Sequence, residues 1–303
     1  MSLLGRMVLA VTRWGWVRHL FTSHSWGRRV AMKFVAGETL DDAVAAARRL
    51  NDDGFTVSLD HLGEHVTDRT LAERARDDYL ACIERMADEG IDGNISVKLT
   101  QLGMGLDDAL AAASLDALAE RAAARGLTVT IDMEESAHTP ITLGLYEAAQ
   151  SRHGNLGLAL QAYLHRTADD LPRVAALGGH IRLCKGAYDE PDSVAYRSRG
   201  RVDEEFDRLL GALMPVEGTY PAIATHDEAR IDATLRLAAD RAGAFEFQML
   251  YGVRGALQRS LVERGHRVRL YVPYGDAWYP YLTRRIAERP ANVWFFLRAL
   301  VGR

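Results

Sequence analysis

A chain of 303 residues, 48% hydrophobic and 26% charged, has the balance of a globular protein with ample core for one large domain or two medium ones, not that of a disordered or fibrous chain. Its net charge of −4 and its two cysteines, Cys82 and Cys184, exclude a predominantly basic nucleic-acid-binding body and a disulfide-stapled scaffold. There is no CxxC, no paired Cys/His ligand spacing and no HExxH, so no metal site is expected, and sparse cysteine points to a reducing, cytoplasmic setting.

Residues 1–37 stand apart. They hold six basic residues (Arg6, Arg13, Arg18, Arg28, Arg29, Lys33) and no acidic one, which leaves −10 for the remainder. Trp14, Trp16 and Trp26 share the segment. A basic helical arm of this kind either packs on the main domain or lies peripherally on an anionic membrane surface. Arg6, Arg13 and Arg18 interrupt its apolar run, so it is not read as a transmembrane helix, and it lacks the cleavage pattern of a secretory signal.

Residues 38–303 read as one domain. Short apolar or β-branched runs alternate with longer Ala/Leu/Arg/Glu-rich stretches of helical period. Strands are predicted at 56–59, 94–99, 127–131, 157–161, 180–184, 220–224, 245–250 and 268–272. Helices include 71–90 and 106–126, and Gly54, Gly90, Gly126 and Gly265 mark helix ends. Eight strands alternating with helices over about 250 residues fit a (βα)8 TIM barrel, here with extra N-terminal helices, better than an open sheet. The polar stretch "GAYDEPDSVAYRSRGRVDEEF" (186–206) is long for a βα connection and suits a lid.

Barrel enzymes build their sites at the C-terminal strand ends. Polar residues fall there in turn. Asp60 and Glu64 follow the first strand, Lys98 lies near the end of the second, and Asp132, Met133, Glu134 and Glu135 follow the third. Gln161 ends the fourth, Lys185 follows the fifth, and Thr225 and His226 follow the sixth. Gln248 and Leu250 end the seventh, and Tyr271 lies near the end of the eighth. Arg182 differs, because it lies within "HIRLC" (180–184), and a buried arginine is rare without a partner or ligand.

The residues alone leave several chemistries open. Lys98 or Lys185 suits either a Schiff base, as in barrel aldolases, or an anion clamp. In "IDMEE" the carboxylates serve a metal or acid/base work, or one is functional while the others cap a helix or are solvated. No GxGxxG follows a strand and no Walker A loop is present, so neither nucleotide fingerprint applies. Near the C-terminus, "YLTRRIAERP" (281–290) puts Tyr281, Arg284, Arg285 and Glu288 on one helix side, with Leu282 and Ile286 on a neighbouring arc. Paired guanidinium groups suit a carboxylate or phosphate; a solvated face with an Arg284–Glu288 pair is the alternative.

Eight segments occur in order over residues 38–295: "SVKL" (96–99), "IDMEES" (131–136), "LQAYLHR" (160–166), "RLCKGAY" (182–188), "ATHDE" (224–228), "EFQMLYGV" (246–253), "LYVPYGDAWYPYLTRR" (270–285) and "ERPAN" (288–292). Together they resemble the proline dehydrogenase family, and the length is similar to its short monofunctional bacterial form. The resemblance implies a distorted (βα)8 barrel with FAD over the strand C-termini. It implies oxidation of L-proline to Δ1-pyrroline-5-carboxylate by hydride transfer to flavin N5, the first step of proline catabolism, with a membrane quinone reoxidising the flavin.

It also implies roles. Lys98, Arg284 and Arg285 would bind the proline carboxylate. Asp132 would position or deprotonate the amine, and Arg182 would contact flavin N5. Tyr271 joins these two as catalytic, and with Tyr281 and Leu250 walls the proline ring. Met133, Gln161, Lys185, Gly186, Ala187, Tyr188, Thr225 and His226 match the flavin-binding segments. Glu288 supports them from the last helix, and Glu64 would pair with Arg284 as a gate. Cys184 and Asp189 depart from the commoner pattern in and after "RLCKGAY".

Overall fold

The computed structural model describes residue 19 and residues 25–288, with only the backbone of 25, 26, 30 and 284–288. Eight parallel strands close into a barrel in sequence order. They are β1 (Thr56–His61), β2 (Gly93–Val97), β3 (Val129–Ile131), β4 (Leu156–Gln161), β5 (Gly179–Cys184), β6 (Thr219–Ala224), β7 (Glu246–Leu250) and β8 (Val268–Tyr274). Closure comes from β1 pairing with β8, Ser58 lying opposite Tyr271. The helices are α1 (Ser25–Ala31), α2 (Leu40–Asp52), α3 (Arg69–Asp88), α4 (Asp108–Ala124), α5 (Thr139–His153), α6 (Thr167–Ala176), α7 (Arg199–Leu213), α8 (Glu228–Ala238), α9 (Gly255–Glu263) and α10 (Trp278–Glu288).

All eight predicted strands are present. Gly54, Gly90, Gly126 and Gly265, predicted at helix ends, all have left-handed backbone. Helix starts follow their capping residues: Thr39 and Asp42 form a reciprocal box at α2, and Asp68 and Asp107 cap α3 and α4. The long insert resolves into two parts. Residues 199–206 belong to α7, which Ser198 caps, so only the irregular stretch before it has lid character. That stretch touches the barrel rim through an isolated bridge between Leu164 and Ala195.

Strand side chains alternate between two environments. Val57, Leu59, Ile95, Val97, Ile181 and Leu183 point outward and are buried under the helices, which places the apolar core between barrel and helix ring. The barrel lumen is polar. Barrels of this kind are usually filled with branched aliphatic layers. Here Arg269 forks onto Glu246 (2.6 and 3.1 Å) and reaches Asn94 (3.3 Å), and Asn94 donates to Thr130 (2.8 Å). Gln248 donates to Glu246 (2.7 Å) and accepts from Arg182 Nε (2.5 Å), which joins this lower layer to the strand C-termini. Strand neighbours of Arg182 are Ala159 and Ala222, whose small side chains leave room for the guanidinium to cross the lumen.

Residues 31–38 lie against the end of β8 and α10. Ala36 N–H donates to Pro273 O (2.8 Å), Gly275 N–H donates to Gly37 O (3.0 Å), and Trp278 Nε1 donates to Glu38 (3.2 Å). Arg6, Arg13, Arg18, Trp14 and Trp16 lie outside the described residues, as does the membrane contact expected of them. Among the described residues no helix is long and apolar enough to cross a membrane.

Candidate active site

Inward-facing side chains of β1, β2, β5 and β8, with Lys98 just past β2 and Asp132 just past β3, converge at the C-terminal end of the lumen. Lys98 is 8% exposed and uses all three of its N–H bonds. They go to Asp60 Oδ1 (2.9 Å), Asp132 Oδ2 (3.2 Å) and Tyr271 Oη (3.1 Å). Tyr271 donates in turn to Asp132 Oδ2 (2.7 Å). The other oxygen, Oδ1, accepts from Ser96 (2.7 Å) and from Arg182 Nη1. Two cations, Lys98 and Arg182, therefore face two carboxylates, Asp60 and Asp132, in a site shielded from water.

Charge balance sets the protonation states. Burial by itself would raise Asp132, but Lys98 and Arg182, aided by the Tyr271 and Ser96 hydrogen bonds, bring it down to about 2. For Lys98 burial works against the ammonium, and Asp60 and Asp132 more than restore it, holding it well above the ordinary lysine value. Burial and then Asp132 push Tyr271 well above a free phenol, so it stays a donor.

A cavity of about 930 Å³ opens above this floor. Lys98, Asp132 and Arg182, which form that floor, line it together with Gln161, Leu250, Glu64 and Tyr281. Arg182 Nη2 and Gln161 Oε1 are buried and have no partner among the described residues. The Arg182 guanidinium carbon also lies 5.4 Å from the Tyr271 ring centroid. Met133 and Ala187 line the same cavity, and Met133 O accepts from Gln161 Nε2 (3.0 Å), which fixes the amide so that its oxygen is the unpaired end.

The far side of the cavity is built from the segments after β5 and β6. Lys185 reaches away along the rim and donates to Asp203 on α7 and to Asp227 before α8 (2.8 Å). It thereby clamps the base of the insert to two helices. Gly186 has φ +106°, and a Cβ there would overlap the Tyr163 ring, so the chain turns into the insert only with glycine. Tyr188 lines the cavity further along that insert. Thr225 Oγ1 accepts from Asp227 N–H (3.1 Å), and His226 Nε2 accepts from Leu250 N–H (3.0 Å), which leaves Nδ1 as the protonated nitrogen of the neutral ring.

Every expected site residue with a described side chain therefore borders one cavity. Arg284, Arg285 and Glu288 belong to α10, but their side chains, and with them the expected Glu64–Arg284 gate, lie outside the described residues. Of the "IDMEE" carboxylates, only Asp132 reaches the floor. Glu134 is neither a helix cap nor solvated: it is buried and holds the Thr100 backbone N–H (3.0 Å) and hydroxyl. Glu135 precedes a 3-10 turn (Ser136–His138) without capping it. Cys82 and Cys184 are both free thiols. Asp189, at the outer edge, pairs with Arg197 (3.5 Å).

Three contributors received no role from sequence. Asp60, fully buried, is the second counter-ion of Lys98; Ser96 braces Asp132; Gln248 holds Arg182. Their signal was present in the alternation of polar residues along otherwise apolar strands: Thr56, Ser58, Asp60 on β1 and Asn94, Ser96, Lys98 running through β2.

A family model described as proline dehydrogenase matches residues 43–298. Proline dehydrogenase 1 of Bacillus subtilis (strain 168) is 39% identical over 281 residues, covering 91% of this chain and 93% of the relative. The proline dehydrogenase of Deinococcus radiodurans is 36% identical over 308 residues, covering 99% and 98%. In fold, the chain is similar to proline utilization A (PutA) from Bdellovibrio bacteriovorus, with a TM-score of 0.80 at 22% identity, over 86% of this chain and 32% of that one.

Proposed function

Because the chain belongs to the proline dehydrogenase family, whose members oxidise proline in proline catabolism, we propose that it converts L-proline to Δ1-pyrroline-5-carboxylate using FAD and passes the electrons to a membrane quinone. The observation that carries the cofactor assignment is Arg182: a buried guanidinium, locked by Asp132, Ser96 and Gln248, with Nη2 left unpaired beside a large cavity. The unpaired Gln161 oxygen and the cavity's volume fit a flavin equally well. Met133, Gln161, Gly186, Ala187, Tyr188, Thr225 and His226 would hold it, and Lys185 would act by fixing the insert. A bound flavin supplies the hydride acceptor.

The protein's own groups do the rest. Lys98, with Arg284 and Arg285 of α10, holds the proline carboxylate. Since all three Lys98 N–H bonds are engaged, the incoming carboxylate replaces one of its partners, while Tyr271, Ser96 and Arg182 keep Asp132 in place facing the substrate nitrogen. Held at about 2, the Asp132 carboxylate is a weak base, so it orients the amine by accepting its N–H, and the amine proton leaves to solvent. Arg182 supplies a fixed cation where negative charge builds on the reduced cofactor. Tyr271, Tyr281 and Leu250 wall the substrate ring and exclude water. Schiff-base chemistry at Lys98 is disfavoured, because its neighbours keep it an ammonium.

An absorption spectrum tests the reading. The purified protein should show flavin bands that bleach on addition of L-proline and return with a quinone analogue. A colourless protein that takes up no FAD overturns the proposal.

A further inference from the structure

On the rim of the barrel, away from the cavity floor, two loops meet. The loop after β1 carries His65, next to Glu64; the segment after β3 carries Glu135 and His138. His65 Nε2 lies 3.2 Å from Glu135 Oε1. A ring nitrogen of each histidine and a carboxylate oxygen of Glu135 all lie within 4.8 Å of one another. Two imidazoles and one carboxylate are a borderline-soft N/N/O set, the kind that zinc, cobalt and nickel favour.

Three further observations single the cluster out. Glu135 Oε2 is buried and has no partner among the described residues, although the residue is only partly covered. Glu135 and His138 both occupy helix-cap positions, yet neither makes a side-chain cap bond, so local helix chemistry does not account for them. His65 has φ +52°, a left-handed conformation that costs a non-glycine residue energy, in a side chain 47% exposed and so not held for packing. The strained loop is pinned from below: His65 N–H donates to Thr100 Oγ1 (3.0 Å), and Thr100 is held by buried Glu134. The His138 N–H donates to Glu135 O (2.9 Å), which fixes the other two ligands relative to each other.

We propose that His65, Glu135 and His138 form a binding site for a divalent transition-metal ion of the zinc class, with three protein ligands and the remaining position open to water. Tetrahedral zinc at about 2.1 Å from each donor requires donor separations of about 3.4 Å. The His65–Glu135 pair already has that spacing, and His138 closes by side-chain rotation. An ion there cross-links the loop that follows Glu64 to the segment that follows Asp132, two segments whose preceding residues border the cavity. The sequence gives no hint of it, because His65 is 70 residues from Glu135 in the chain.

Calorimetric titration of the untagged, chelator-treated full chain with Zn2+ tests the site, with the ion's effect on the thermal midpoint as a second readout. Wild type should bind one ion per chain and melt higher with Zn2+ present. His138→Ala and His65→Asn should each weaken binding by about tenfold or more and lose the thermal shift. Asparagine is chosen at 65 because it tolerates the left-handed backbone, so the variant keeps its loop. A Cys82→Ser variant should bind as wild type does. Equal Zn2+ affinity in wild type, His65→Asn and His138→Ala overturns the proposal, as does the absence of a stoichiometric site in the wild-type chain.

Discussion

Asp132→Asn tests the charge balance of the cavity floor. Asp132 accepts from two donors at each oxygen: Lys98 and Tyr271 at Oδ2, Ser96 and Arg182 at Oδ1. An asparagine amide must turn its NH2 toward one of these pairs. The hydroxyl of Tyr271 or Ser96 can rotate away, but Lys98 and Arg182 cannot become acceptors, so one N–H meets a buried cation whichever way the amide is set. The variant also leaves Lys98 and Arg182 with only Asp60 as counter-ion. Breaking a buried ion pair from one side costs about 3–5 kcal/mol, and the hydrogen bonds that asparagine retains bring the expectation to about 3 kcal/mol.

The acid limb provides the sharper check. A carboxylate lowered from 3.8 to about 2 contributes on the order of 2–3 kcal/mol, present in full above the unfolded value and lost as pH falls through the folded one. The stability gap between wild type and Asp132→Asn should therefore be constant at neutral pH and narrow below about pH 4. Urea unfolding of both proteins across that range measures it, with proline turnover as a parallel assay. If the variant is as stable as wild type at pH 7, or if the gap keeps its full size to pH 3, Asp132 is not the ionised partner of Lys98 and Arg182, and the orienting role assigned to it fails.

Arg269→Met should destabilise the barrel by about 3 kcal/mol, because fully buried Glu246 loses its two-pronged partner and keeps only the more distant Arg267 (3.6 Å) as a cation; Arg269→Met with Glu246→Gln should recover much of the loss in urea unfolding. Gly186→Ala forces a Cβ into the Tyr163 ring at a left-handed backbone, so the thermal midpoint should fall by several degrees, with less cofactor retained on gel filtration; an unshifted midpoint would show that the insert turns without glycine. Arg285→Lys should raise the KM for proline roughly 10- to 100-fold, since an ammonium cannot reproduce a two-pronged grip on a carboxylate; steady-state kinetics with unchanged KM would remove Arg285 from the clamp.

The chain's one-dimensional pattern determined a great deal. Short apolar or β-branched runs between helical stretches placed all eight strands, and in a closed parallel barrel the strand order follows from chain order, so the C-terminal ends of those runs had to share one face. That is why Lys98, Asp132, Gln161, Arg182, Thr225 and Tyr271 could be placed at one end of the barrel from the pattern alone, while the roles expected of them came from the family resemblance. Arg182 stood out for the same reason: a cation inside a strand needs something to face.

What the pattern could not carry is any property that depends on summed distances. Whether Lys98 is an amine or an ammonium, and Asp132 a base or a fixed anion, is decided by burial set against charges arriving from β1, β3, β5 and β8, which are far apart in sequence and adjacent only after closure. Asp60 had no assignable role until the lumen brought it to 2.9 Å from Lys98. His65 likewise meets Glu135 and His138 only because the first and third strand ends are near neighbours around the rim. Local sequence fixes which way each side chain faces; closure of the barrel decides what it faces.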